Sequence, residues 1–224
     1  MSESLRAIES GLSRVRELRA ARQANPSLAH KVEAIKRYQH ARLQRDYVAW
    51  LADPRYRGAA RFFLEQLYGP RDFSARDAQF SRIVPALERV LPVELRDTVV
   101  ALIELHALTE EMDQAMAQCL SGDGSLDLAA YRSAWVRVGR PELRARQVEL
   151  MLLIGRSLDR HTRSALLGVT LRLMRAPAHA AGLGDLQEFL EDGYQAFRAM
   201  KGAEDFLVSV ARNERAQIEA LFSN

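Results

Sequence analysis

Apolar residues recur along this chain at three- and four-residue steps almost without interruption, the period of an amphipathic α-helix. Leu5, Ile8, Leu12, Val15 and Leu18 mark a first helix from about Ser4 to Gln23. Asn25-Pro26 has the form of an N-cap followed by proline at the first helical position, and it opens a second helix that runs to Leu51 or Ala52, short of Pro54. Val32, Ile35, Tyr38, Leu43, Tyr47 and Trp50 turn towards a partner from this helix. A third helix over Tyr56 to Tyr68 carries Phe62, Phe63 and Leu67 and stops at Gly69-Pro70. Ser74 and Asp77 have capping-box spacing and open a short helix towards Val90, within which Pro85 predicts a kink or a break.

The longest pattern runs from Val93 to Leu120 and ends at the polar run Ser121-Gly122-Asp123-Gly124-Ser125, which reads as a flexible loop. Further helices are predicted over Leu126 to Val138, Pro141 to about His161, Arg163 to Arg175, Asp185 to Met200 and Glu204 to Phe222. No solenoid period is present. The pattern therefore predicts an all-α fold, a single multi-helix bundle of about eight or nine helices. Residues 1–52 would form an N-terminal helical hairpin packed on or protruding from a bundle core of residues 53–224. The hairpin's apolar seam is narrow, as in helix pairs, so it is expected to suit a second copy of the chain.

Composition narrows the class. With 48% hydrophobic and 27% charged residues in 224, the chain is too apolar for a disordered tail and too charged for a membrane protein. Only 12 glycines and 7 prolines leave too few turn residues for an all-β fold. The 32 basic and 29 acidic residues interleave, which weighs against nucleic acid as a partner. Lysine occurs only at Lys31, Lys36 and Lys201, and arginine supplies the remaining positive charge. A single cysteine, Cys119, excludes an intramolecular disulfide, and MSESLRAIESG lacks the basic start and apolar run of a secretory signal. The most apolar later stretch, Ala165 to Met174, is broken by Arg172 and cannot supply the roughly 20 apolar residues of a bilayer span. A cytoplasmic protein with no membrane partner is expected.

The longest helix carries the best candidate chemistry. His106, Glu110 and Asp113 stand at i, i+4 and i+7, stacked along one side of two turns. As a metal site they would offer one imidazole and two carboxylates to a divalent ion, although one helix rarely supplies a full coordination shell. As an acid/base site, the carboxylates would tune the histidine. As structure, His106 would pair with Glu110, and Asp113 with an arginine from another helix. Dinuclear carboxylate bundles need Glu-x-x-His on two helices, and that spacing is absent. A second constellation, Arg71, Asp72, Arg76 and Asp77 in the turn before the short helix, offers an anion site or a self-neutralised helix cap. A third comprises Arg156, Asp159, Arg160 and Arg163, with an Asp159 to Arg163 pair supporting its own helix. Phosphate-loop, dinucleotide and nucleophile-elbow signatures are missing.

The run Tyr56-Arg57-Gly58-Ala59-Ala60-Arg61-Phe62-Phe63-Leu64-Glu65-Gln66-Leu67-Tyr68-Gly69-Pro70, continuing Arg71-Asp72-Phe73-Ser74 and Arg76-Asp77, resembles a family of uncharacterised all-helical proteobacterial proteins. The similarity extends through Leu105-His106-Ala107-Leu108, Glu110 and Asp113, and more weakly through Gly155 to Arg160 and Glu214-Arg215. The resemblance implies a bacterial helical protein and assigns no activity, cofactor or residue role. A non-catalytic intracellular interaction or regulatory protein is thus expected, with a protein partner or self-association and without a cofactor. The alternative is a metal- or small-ligand-binding protein or enzyme built on His106, Glu110 and Asp113, with Asp159, Arg160 or the Arg71 to Asp77 turn supplied by packing. A weaker alternative is nucleic-acid binding through the basic hairpin.

Overall fold

One helix organises the molecule. In a computed structural model, which describes residues 2–67, 69, 72–90, 93–121 and 126–223 (for 86–90 the backbone only), the chain forms eleven helices among the described residues and no strand. They are α1 (Glu3–Gln23), α2 (Pro26–Asp46), α3 (Val48–Ala52), α4 (Arg57–Phe62), α5 (Ser74–Val90), α6 (Val93–Cys119), α7 (Leu128–Val138), α8 (Pro141–Thr162), α9 (Ala165–Ala180), α10 (Gly184–Met200) and α11 (Glu204–Phe222). The long α6 lies in the middle, with α1, α2, α7 and α8 packed around it, while α10 and α11 pack on α8.

Local chemistry sets many of the boundaries. Ser2 and Asn25 accept hydrogen bonds from the amides of Leu5 and Leu28, capping α1 and α2, and Asp127 does the same for α7 through Ala130. Gly139 ends α7 at φ +64°, a left-handed turn that glycine adopts at little cost, and Pro141 starts α8.

The helix count exceeds the expected eight or nine: the spans read from the sequence already number ten, and the chain breaks once more where no glycine or proline marks it. The second helix does not continue to Leu51 or Ala52. It ends at Asp46, since Tyr47 turns into the core, and the short α3 follows. Phe63 to Leu67 forms a single wide π-type turn after α4, placing Phe63 and Leu64 in the interior. Conversely, α5 passes through Pro85 without a break, and α9 continues past Arg175 and through Pro177 to Ala180. Of the predicted loop Ser121 to Ser125, residues 122–125 lie outside the described residues.

The apolar stripes of α1 and α2 are used inside the chain. Leu5, Ile8 and Leu12 close against Val84 of α5 and Ile103 of α6, and Val32 and Ile35 against Met116, Tyr131 and Trp135. The seam expected to suit a second copy is therefore already covered. The largest cluster gathers Tyr47, Tyr56, Phe62, Phe63, Phe197 and Phe206 between α4, α10 and α11. At the α8–α11 crossing Gly155 lies so close to Leu207 that a Cβ there would overlap the leucine side chain.

Candidate functional site

His106, Glu110 and Asp113 of α6 face α5, α1 and α2, and each meets a different partner. His106 Nε2 lies 2.8 Å from Asp77 Oδ2 on α5, and Arg19 of α1 reaches the same carboxylate at 2.7 Å. Burial alone would push the Asp77 carboxyl up. The hydrogen bond from His106 and the charges of His106, Arg19 and Arg76 hold it below the ordinary carboxylate range. Beside this pair is an apolar cavity of about 90 Å3, walled by Phe80, Leu102, Leu105, Leu186 and Phe189.

One turn further on, Glu110 is buried and pairs with two cations, Arg22 at 2.6 Å and Lys36 at 2.5 Å. Burial opposes its ionisation, but the charges of Lys36 and Arg22 outweigh it and bring the carboxyl down to about 2. Asp113, deeper still, accepts a hydrogen bond from Gln39 Nε2 at 3.0 Å, and burial pushes its carboxyl up. His106, Glu110 and Asp113 thus share a helix side without converging on a common point. Among the described residues no three His, Cys, Asp or Glu side chains are grouped so as to hold a metal ion. Nor does His106 pair with Glu110, or Asp113 with an arginine: the partners are Asp77 and Gln39.

The other sequence candidates separate in space. Asp72 accepts from the Ser74 amide and hydroxyl, both at 2.9 Å, so it is Asp72 that caps α5. Asp77, expected to complete a capping box, instead turns inward to His106. Arg76 stacks on Phe73 and Phe189 and donates to the Gln66 carbonyl, whereas Arg71 lies outside the described residues. Asp159 pairs with Arg163 at 2.6 Å as expected, and its other oxygen accepts from the Ala203 amide at the start of α11. Arg160 is exposed. The hairpin's positive charge is largely matched within the chain, with Arg37 on Glu33 and Arg42 on Glu214 and Asp46 in addition to the pairs above.

Two features escaped the sequence reading. A second polar cluster fills the junction of α2, α7, α8 and α11. There Arg42 donates to both Glu214 oxygens at 3.1 and 2.9 Å, and the buried Arg144 lies over the Trp135 ring at 3.8 Å. Interleaved charges at distant positions gave no spacing to find it by. The other feature is the outer face of α9, where Leu166 and Leu173 are 73% and 72% exposed and Val169 and Met174 stand beside them. Its signal, the apolar run from Ala165 to Met174, was plain in the sequence, but its length bears only on membrane spanning.

A family model described as Domain of unknown function (DUF8198) matches residues 18–224. No curated protein and no solved structure matches the chain.

Proposed function

Because the chain belongs to the family described as Domain of unknown function (DUF8198), which carries no assigned activity, we propose a function from the surface: a non-catalytic interaction protein that pairs with a second copy of itself through α9. The observation that carries this is the imbalance of α9. It is among the most apolar helices of the chain, yet only Gly168 and Ala178 are buried, and Leu166 and Leu173 face outward. A contiguous apolar face of this kind marks a contact site on a soluble domain.

Self-pairing follows from the spacing. Leu166, Val169 and Leu173 stand at i, i+3 and i+7, the seam of a helix pair. An antiparallel two-fold placed between Val169 and Thr170 sets Leu166 of each copy against Leu173 of the other, so one patch is its own complement. The flanks permit it. The Arg163 and Arg175 guanidiniums are matched within the chain by Asp159 and Glu191, which relieves the repulsion between two helices that carry no acidic residue. In support of a bacterial cytoplasmic setting stand the resemblance of the Phe62 to Asp77 motif, a lone cysteine and the lack of any described helix long and apolar enough to cross a membrane.

Sedimentation velocity over a micromolar concentration series tests the reading. The wild-type protein should shift from monomer to dimer, and Leu166→Asp with Leu173→Asp should remain monomeric with an unchanged melting temperature. A wild-type monomer throughout the series, or a dimer that survives the double substitution, overturns it.

A further inference from the structure

Glycine inside a helix weakens it unless a neighbour uses the space. Gly168 of α9 is used by Tyr194 of α10, whose phenol lies where a Cβ would be. Held there, Tyr194 Oη donates to the Ser164 carbonyl at 3.2 Å and receives Arg198 Nη1, so the ring ties the two helices together and aims the arginine. Beside this crossing lies a groove of about 270 Å3 between α9 and α10. Gly168, Leu171 and Glu191 form its floor, and the exposed Arg172, Gln195 and Arg198 form its rim. The floor's one acid is already occupied. Arg175 donates to Glu191 from Nε at 3.0 and 3.1 Å and from Nη2, and Gln187 Nε2 adds a further hydrogen bond at 2.8 Å.

The rim arginines have no such match. Among the described residues Arg172 makes no hydrogen bond or ion pair, and Arg198 meets only the hydroxyl and ring of Tyr194. The other carboxylates of α10 do not reach them: Asp185 and Asp192 accept from Gln79 and Gln66, and the exposed Glu188 pairs with neither arginine. The groove therefore carries two guanidiniums beyond the one that Glu191 neutralises. A single arginine can satisfy a planar carboxylate, whereas the several oxygens of a phosphoryl group take donors from two directions, as these arginines on two helices offer them. A phosphate monoester bears about −1.5 to −2 charge at neutral pH, close to the excess here. Benzene fills about 150 Å3, so 270 Å3 accommodates about ten heavy atoms, a phosphoryl group with a short carbon chain. We propose that this groove binds the phosphate monoester of a small polyol of the size of glycerol phosphate, its phosphoryl oxygens between Arg172 and Arg198, a hydroxyl at Gln195 and its carbons on Leu171. Leu166, Val169 and Leu173 take no part, and neither proposal rests on the other.

The test is calorimetric titration of the full chain with glycerol phosphate, against glycerol and inorganic phosphate at matched ionic strength. Saturable binding of glycerol phosphate is expected, tighter than that of inorganic phosphate and absent for glycerol. It should weaken at least tenfold in Arg172→Gln and in Arg198→Gln, whose side chains are exposed and hold no carboxylate. Arg37→Gln removes the same charge on α2, outside the groove, and should bind as the wild type does. Vesicles containing phosphatidic acid present the same phosphoryl chemistry on a lipid. No saturable heat with glycerol phosphate overturns the proposal, as does affinity no greater than that of inorganic phosphate or affinity undiminished in Arg172→Gln and Arg198→Gln. Capture of the vesicles without binding of glycerol phosphate would assign the groove to a lipid headgroup and overturn the soluble ligand.

Discussion

Replacing Glu110 with glutamine removes one charge from a buried cluster and leaves its shape intact, so it isolates the electrostatic contribution of α6 to folding. Glu110 has a side chain only 4% exposed, with Arg22 and Lys36 both in contact. Its carboxyl falls from an ordinary value of 4.5 to about 2. At about 1.4 kcal/mol per pH unit, the ionised form therefore contributes about 3 kcal/mol to the folded state at neutral pH. The sign follows from the depressed value. That contribution is complete above the unfolded-state value of 4.5 and is lost as the pH falls through about 2. Glu110→Gln should accordingly lose about 3 kcal/mol at pH 7, partly because Lys36 and Arg22 keep their desolvation cost without a counter-charge. The loss should shrink as the wild type is acidified below pH 4.5. Urea unfolding followed by far-UV circular dichroism at pH 7, 5 and 3 reads both effects. If wild type and variant lose stability in parallel across that range, the charge balance described for Glu110 is wrong.

Two further substitutions probe packing and charge geometry. Gly155→Ala should cost about 1–3 kcal/mol by forcing Leu207 off its rotamer, and the same substitution made in a Leu207→Ala background should cost less, as measured by urea unfolding. Arg42→Lys exchanges a two-pronged contact with Glu214 for a point contact and should lower stability by about 1–2 kcal/mol. Glu214→Gln added to it should cost less than in the wild-type background, a double-mutant comparison that isolates the pair.

Periodicity and punctuation made most helices legible. The five residues read as the buried stripe of α1 are the five that are buried, and Asn25-Pro26 and Gly139 with Pro141 mark real boundaries. The break at Tyr47 was illegible because its cause is tertiary: an aromatic ring with room in the core draws the backbone out of the helix. Prolines misled in the other direction, since a helix held by contacts along its length tolerates the missing N–H of Pro85 or Pro177. For the polar groups, sequence placed His106, Glu110 and Asp113 on one side of α6 but had no means of pairing them. Arg22 and Lys36 stand at no telling spacing and Asp77 reads as part of a helix cap, and only the folding of α1, α2 and α5 onto α6 brings them into range.

The central position of α6 also orders events in time. Leu5, Ile8 and Leu12 have their lasting partners in Val84 and Ile103, and Val32 and Ile35 theirs in Met116 and Tyr131, so the first two helices leave the ribosome well before anything can cover them. Contacts between such distant positions close late, after the entropy of a long loop has been overcome. Until α6 is complete, α1 and α2 present their leucine and isoleucine rows to water or to a holding chaperone. The middle of the chain, rather than its beginning, sets the moment at which the nascent protein stops being adhesive.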